Sequence, residues 1–210
     1  MFAVCVYSFS RAPRYDDGMP KRLAKAVLYG IFLVAVWPAA AMTAFGRWKA
    51  MYSIFAHLFS LSPGIWGDYL RTGFYRLTLF EWPLSSRIQF GSFFAHPEVR
   101  VGPHVYIGSY CILGRTEIGG HTQIASGVQV LSGRHQHVRD ESGRISGAES
   151  GVFSVVSIGP NCWIGAGAIV MANVGAGSTI GAGSVVTKPI PAGVTAVGSP
   201  ADVIKAAIKT

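Results

Sequence analysis

Beyond residue 100 the apolar positions recur at a nearly fixed step. Aliphatic residues, most followed by a small one, stand at Val101-Gly102, Ile107-Gly108, Leu113-Gly114, Ile118-Gly119, Ile124-Ala125 and Val130. The series resumes at Ile158-Gly159, Ile164-Gly165, Val170, Val174-Gly175, Ile180-Gly181 and Val186. Most steps are six residues; Leu113 to Ile118 is one short and Val170 to Val174 two short. A helix period would scatter these positions around a cylinder, and strand alternation would not skip to six. The pattern predicts a solenoid of short strands, one aliphatic side chain per strand stacking inward and a small residue beside it at a tight corner.

The first hundred residues follow another pattern. Ala26 to Gly46 is a run of 21 residues without a charge, flanked by Lys21, Arg22 and Lys25 on one side and Arg47 and Lys49 on the other. That is long enough to cross a hydrocarbon core. It begins too late, and is followed by too many uncharged aromatic residues between Ala50 and Gly67, to read as a signal peptide. Pro38 sits near its middle and is expected to break or kink a helix there. A hairpin or re-entrant helix bent at Pro38, followed by interfacial helices, keeps both basic clusters on one face, and this monotopic reading is preferred over a single span. A buried core helix is the third reading. Residues 68–82 read as a further amphipathic piece, with Arg71 and Arg76 available to anionic headgroups.

Composition sharpens the division. Of 25 aromatic residues 21 fall in the first hundred, and of 26 glycines 19 fall in the rest. The formal charge of +8 divides as +6 and +2. Half of the chain is apolar, which excludes disorder, and three cysteines exclude a disulfide scaffold. The excess positive charge travels with the aromatic half, so lipid headgroups and not nucleic acid are the expected anionic partner. The organisation expected is a helical, membrane-associating region over 1–86 and a solenoid over 87–205 with an excursion loop at 134–154.

The [Ile/Leu/Val]-Gly-x4 repeat resembles that of the hexapeptide acyltransferases. The stretches QVLSGRHQH (129–137) and IGPNCWIGAGAIV…VGAGSTIGAGSVVTKPIPAGVTAVGSPADVI (158–204) are similar to the galactoside and maltose O-acetyltransferase group. The resemblance covers residues 96–205. It implies a mainly β chain with a left-handed parallel β-helix of triangular section, homotrimers with active sites between subunits, and acetyl-CoA as acetyl donor. It implies no metal.

Loop 134–154 holds six of the 12 charged residues beyond position 100, and loops of that length are commonly functional. Acetyl transfer from a thioester to a hydroxyl needs a base near neutrality, which imidazole supplies. The resemblance places that base at His135. His137 takes the role if the loop register differs, and otherwise meets the acceptor or a neighbouring subunit. Asp140 and Glu141 stand close by in sequence as carboxylates to hold the imidazole tautomer. By position, Ala166 and Ala182 match the small residues along which the pantetheine arm runs, Trp163 matches the family's tryptophan, and Thr187 and Lys188 lie near the adenosine end. Asp202 stands where a basic residue is common, leaving Lys205 as the substitute for phosphate contact. His104, Tyr110 and His121 are acceptor candidates by type only, and surface positions explain them equally. Cys111 and Cys162 are expected to pack.

The function expected is a membrane-associated, acetyl-CoA-dependent O-acetyltransferase acting on a sugar hydroxyl of a saccharide, lipid-linked glycan or polysaccharide precursor at the cytoplasmic face of the inner membrane. N-acetylation of an amino sugar and a non-catalytic membrane scaffold are the alternatives. A zinc enzyme using His121, His135 and His137 is a distant third, because their spacing is not that of such enzymes.

Overall fold

A computed structural model describes residues 19–132, 142–145 and 154–206. Among the described residues three helices come first: α1 (Met19–Met42), α2 (Lys49–Ser60) and α3 (Gly64–Thr78). Fifteen short strands follow, wound in coils. The first coil is β1 (Arg87–Ile88), β2 (Phe93–Phe94) and β3 (Arg100–Val101); the second is β4 (Tyr106–Ile107), β5 (Ile112–Leu113) and β6 (Thr116–Ile118). The third is β7 (Gln123–Ile124), β8 (Gln129–Val130) and β9 (Val156–Ile158). The fourth has β10 (Trp163–Ile164) and β11 (Ile169–Val170), closed by a bridge at Val174; the fifth has β12 (Thr179–Ile180) and β13 (Val185–Val186), closed by one at Ile190. Finally β14 (Val194–Val197) stacks on β12, and β15 (Asp202–Ala206) runs antiparallel to it.

Each strand pairs in parallel with its counterpart one coil away, giving three faces. Face I is β1-β4-β7-β10-β12-β14, face II is β2-β5-β8-β11-β13, and face III is β3-β6-β9. The registers set like positions on like positions: Ile88, Ile107, Ile124, Ile164 and Ile180 follow one another along face I.

The repeat contains more than one inward position. Two residues before the aliphatic one, a second side chain is buried: Val99, Val105, Cys111, Thr116, Thr122, Val128, Cys162, Ala168, Ser178 and Ser184. The space there is small, so it takes Val, Ala, Cys or a hydroxyl that hydrogen-bonds to the next coil, as Thr122 Oγ1 does to the Gly159 carbonyl at 2.9 Å. Cys111 and Cys162 fill this slot as expected, and burial raises the pKa of both thiols. The small residue after the aliphatic one is not a turn residue. A Cβ on Gly108 would stand 2.6 Å from the Ser126 nitrogen of the next coil, so coil stacking demands its absence. The turn comes three residues after the aliphatic position. Gly91, Tyr110, Gly127, Gly167 and Gly183 have positive φ at the corner from face I to face II. His104, His121, Asn161, Gly177 and Gly193 do so at the corner from face III to face I. His104, Tyr110 and His121 are therefore exposed corner residues, and the His104 and His121 rings stack at 4.9 Å.

Among the described residues the third corner, from face II to face III, has no positive-φ residue three positions after the aliphatic one; Gly143, with positive φ, lies within the excursion. All the irregular steps fall at this corner: Phe94 to Val101, Leu113 to Ile118, the excursion between Val130 and Ile158, Val170 to Val174 and Val186 to Ile190.

The helices cover the open end of the first coil. Tyr52, Phe74, Tyr75, Trp82 and Phe94 form one buried aromatic group continuous with the solenoid core. Two expectations are corrected here. α1 runs unbroken through Pro38, which lies within five residues of its end. The chain reverses instead at Ala44 and Phe45, both with positive φ, and Gly46, because these left-handed residues end the helix. No described helix is long and apolar enough to cross a membrane. Finally, Arg71 is not available to headgroups, because it is fully buried.

The Arg71 guanidinium donates to the carbonyls of Phe59 (3.1 Å), Ser60 (3.3 Å), Ser62 (2.7 Å) and Ile88 (3.0 Å), and to Asp68 Oδ1 at 2.6 Å. One side chain thus ties the end of α2, the α2–α3 turn, α3 and β1 together. Removing it leaves those acceptors and a carboxylate without their donor. Arg71→Met is expected to lower unfolding free energy in urea by about 3–5 kcal/mol, and Arg71→Lys to recover only part of it, since an ammonium lacks the planar fork.

Candidate active site

Face II collects most of the residues expected to bind the donor. Its outward side chains are Phe93, Ile112, Gln129, Ile169 and Val185, a largely apolar strip. One border is the corner leading in from face I. There Ala166 and Ala182 are exposed on successive coils, locked in line by the Gly183 N–H donating to the Ala166 carbonyl at 2.8 Å. The other border is the irregular corner. It holds half-buried Thr187 and exposed Lys188 on the fifth coil, and the root of the excursion on the third.

The root is firmly held. Ser132, buried, accepts the Arg115 N–H on Oγ at 2.8 Å. Its carbonyl accepts the Ser154 N–H (3.1 Å), and the Arg115 carbonyl accepts the Val156 N–H (3.0 Å). Both ends of the excursion are thus stitched to one another and to the coil above. His135, His137, Asp140 and Glu141 lie outside the described residues.

Two expected contributors stand elsewhere. Trp163 faces outward on face I, between Gln123 and Thr179, with 60% of its surface exposed. Lys205 is in β15 opposite Thr195, and Asp202 is exposed opposite Val197.

A polar group at the irregular corner escaped the sequence reading. Glu98 on the first coil accepts an ion-pair contact from Lys49 of α2 at 2.8 Å, and Arg115 on the second coil approaches it at 4.0 Å. Burial would raise the Glu98 pKa, but the Lys49 hydrogen bond and the two cations outweigh it and hold the carboxyl below its usual range. His96, half-buried at the same corner, has its pKa lowered by burial first and then by Arg115. The unequal steps across this corner were its only signal in sequence: seven residues from Phe94 to Val101, five from Leu113 to Ile118. Among the described residues no three His, Cys, Asp or Glu side chains converge as metal ligands.

The bacterial transferase hexapeptide model (six repeats) matches residues 156–188, from β9 through Lys188. Over these residues the chain is similar to the hexapeptide-repeat transferases. Among solved structures, a maltose O-acetyltransferase from Clostridium difficile 630 is 27% identical, covering 75% of this chain and 86% of its own, with a TM-score of 0.65. A hexapeptide-repeat containing acetyltransferase from Vibrio cholerae shares the fold at 20% identity, covering 81% and 94%, with a TM-score of 0.65. The polySia-specific acetyltransferase NeuO is 26% identical over 60% of this chain and 61% of its own, with a TM-score of 0.51. Comparison with curated protein sequences finds no match.

The polar corner makes stability depend on pH. The free imidazole gains its proton near 6.5 and His96 resists it in the fold, so the unfolded chain binds more protons below that value. The depressed Glu98 acts with the same sign at lower pH. Melting temperature is expected to fall as pH drops from 7 to 5, and His96→Gln should flatten that slope, measured by calorimetry across the range.

Proposed function

We propose that this protein is an acetyl-CoA-dependent O-acetyltransferase acting on a sugar hydroxyl of a saccharide, lipid-linked glycan or polysaccharide precursor. It works in association with the cytoplasmic face of the inner membrane. The observation that carries the reading is the pair of borders of face II: Ala166 and Ala182 along one, Thr187, Lys188 and the excursion root along the other. The repeat and the resemblance to a maltose O-acetyltransferase support the chemistry.

In this reading the pantetheine arm lies along Ala166 and Ala182, where side chains beyond a methyl would bar its approach. The adenosine end lies toward Thr187 and Lys188. The imidazole of His135 takes the proton of the acceptor hydroxyl as the oxygen attacks the thioester carbon. The tetrahedral oxyanion collapses with cleavage of the C–S bond, and the proton passes from imidazolium to the departing thiolate. His137 serves the acceptor or a neighbouring subunit. The chain works as a homotrimer, in which a neighbour closes face II and excludes water.

His135→Ala is expected to lower kcat by about 10²–10⁴-fold while acetyl-CoA still binds by titration calorimetry, and wild-type turnover would overturn the assignment. His137→Ala should cost less. Ala166→Leu, at an exposed position, should raise KM for acetyl-CoA by about tenfold or more with an unchanged melting temperature, measured by thiol-release kinetics.

A further inference from the structure

The outer flank of α1 is an unpartnered apolar surface. Leu23, Val27, Ile31, Val34, Trp37 and Met42 are more than half exposed, Val34 by 75%. At about 100° per residue these six positions fall on one side of the helix and run about 30 Å along it. Every residue from 26 to 42 is apolar or glycine except Tyr29, and Tyr29 lies on the opposite flank against Tyr69, 4.9 Å between ring centroids. Aromatic residues border the strip: Phe45 meets Trp37 at 6.2 Å, and Trp66, 62% exposed, meets Phe32 at 5.8 Å.

The inner flank is committed to the fold. Phe32 stacks on Tyr69 at 5.3 Å, and a Cβ on Gly73 would reach Val36 at 3.2 Å, so α1 and α3 are closely apposed. Between Tyr29 and Val36 one side of α1 is thus taken by α3, which leaves the opposite flank as its free face.

Charge identifies the occupant. Residues 18–67 contain Lys21, Arg22, Lys25, Arg47 and Lys49 and no acidic residue. Lys21, Arg22 and Lys25 precede the uncharged run and Arg47 follows it in sequence, where headgroups would stand if the strip faced acyl chains, while Lys49 is engaged by Glu98. A second copy of the chain on the same strip would set those charges against themselves. The segment before α1 carries Arg11 and Arg14 balanced by Asp16 and Asp17, and offers no complement.

We propose that this flank of α1 lies flat in the headgroup–acyl boundary of an anionic bilayer, held by apolar burial and by basic residues at both ends. This rests on the membrane-associated reading above and names the surface responsible.

The test is co-sedimentation of the full chain with phosphatidylcholine vesicles with and without phosphatidylglycerol. Binding is expected only where phosphatidylglycerol is present, weakening as salt is added. The Ile31→Glu/Val34→Glu variant should bind about tenfold or more weakly, with its melting temperature and acetyl-CoA binding unchanged. A wild-type chain that ignores anionic vesicles overturns membrane association itself. A variant that binds vesicles like wild type overturns this surface alone. A variant altered in light-scattering mass but not in vesicle binding makes the flank a contact between copies, and equally overturns the proposal.

Discussion

Every coil is hydrogen-bonded directly to the next, at the spacing of neighbouring strands, and the rest of the solenoid follows from that closeness. At such a distance a Cβ beside the aliphatic residue would meet the backbone of the next coil at Gly102, Gly108, Gly159, Gly165 and Gly175, although Ala125 occupies the same place in the third coil. The corner three residues later must turn sharply, so positive φ recurs coil after coil even where the residue is His, Tyr or Asn. Properties become columns: what one coil does at a corner, the next repeats. Function that needs irregularity must then sit where the rule is relaxed. The corner between faces II and III is the one without the tight turn among the described residues, and it accommodates steps of seven, five and four residues as well as the excursion.

A stacked solenoid has two open ends, each a row of unpaired strand groups and bare apolar side chains. At the far end β15 folds back against β14. At the near end the helices supply the cover, and Arg71 makes it specific. Its buried charge is compensated by four carbonyls and the Asp68 carboxylate, which fixes α2, α3 and β1 in one arrangement where aromatic packing alone would permit several. Gly67 is part of this arrangement: a Cβ there would meet the Ser62 carbonyl and stand 3.0 Å from the Arg71 guanidinium.

The coils were legible because their constraint is periodic and local; Ile107 and Ile124 announce their partnership by spacing. The positions of Ala166, Ala182, Thr187 and Lys188 on either side of face II were legible for the same reason, since the register carries spacing directly into space. The role of Arg71 was not, because four of its five partners are backbone carbonyls, which sequence does not display. The turn after α1 was misplaced at Pro38 because a proline near a helix end loses only one hydrogen bond, while the left-handed pair Ala44 and Phe45 has no compositional signal. Glu98, Arg115 and Lys49 meet across a corner and a helix, and only the third dimension unites residues 49, 98 and 115.

That meeting links the two halves of the chain mechanically. α2 rests on the upper end of face II: its His57 ring lies 4.2 Å from Phe93, Tyr52 Oη donates to the Phe94 carbonyl at 3.1 Å, and Lys49 reaches Glu98 at the irregular corner. The Ser60 carbonyl at its end accepts the Gly91 N–H at 2.8 Å. The helical cap and the first coil therefore move as one body, with the excursion root two coils below. Ala166, Ala182 and Lys188 lie on the fourth and fifth coils, beyond the excursion. In the proposed reaction an acceptor arriving along the helical end and a donor lying along the last coils approach the excursion from opposite directions, and neither crosses the other's path. An acceptor tethered to lipid suits that arrangement better than a free one, because the cap that would rest on the bilayer is fastened to the same face.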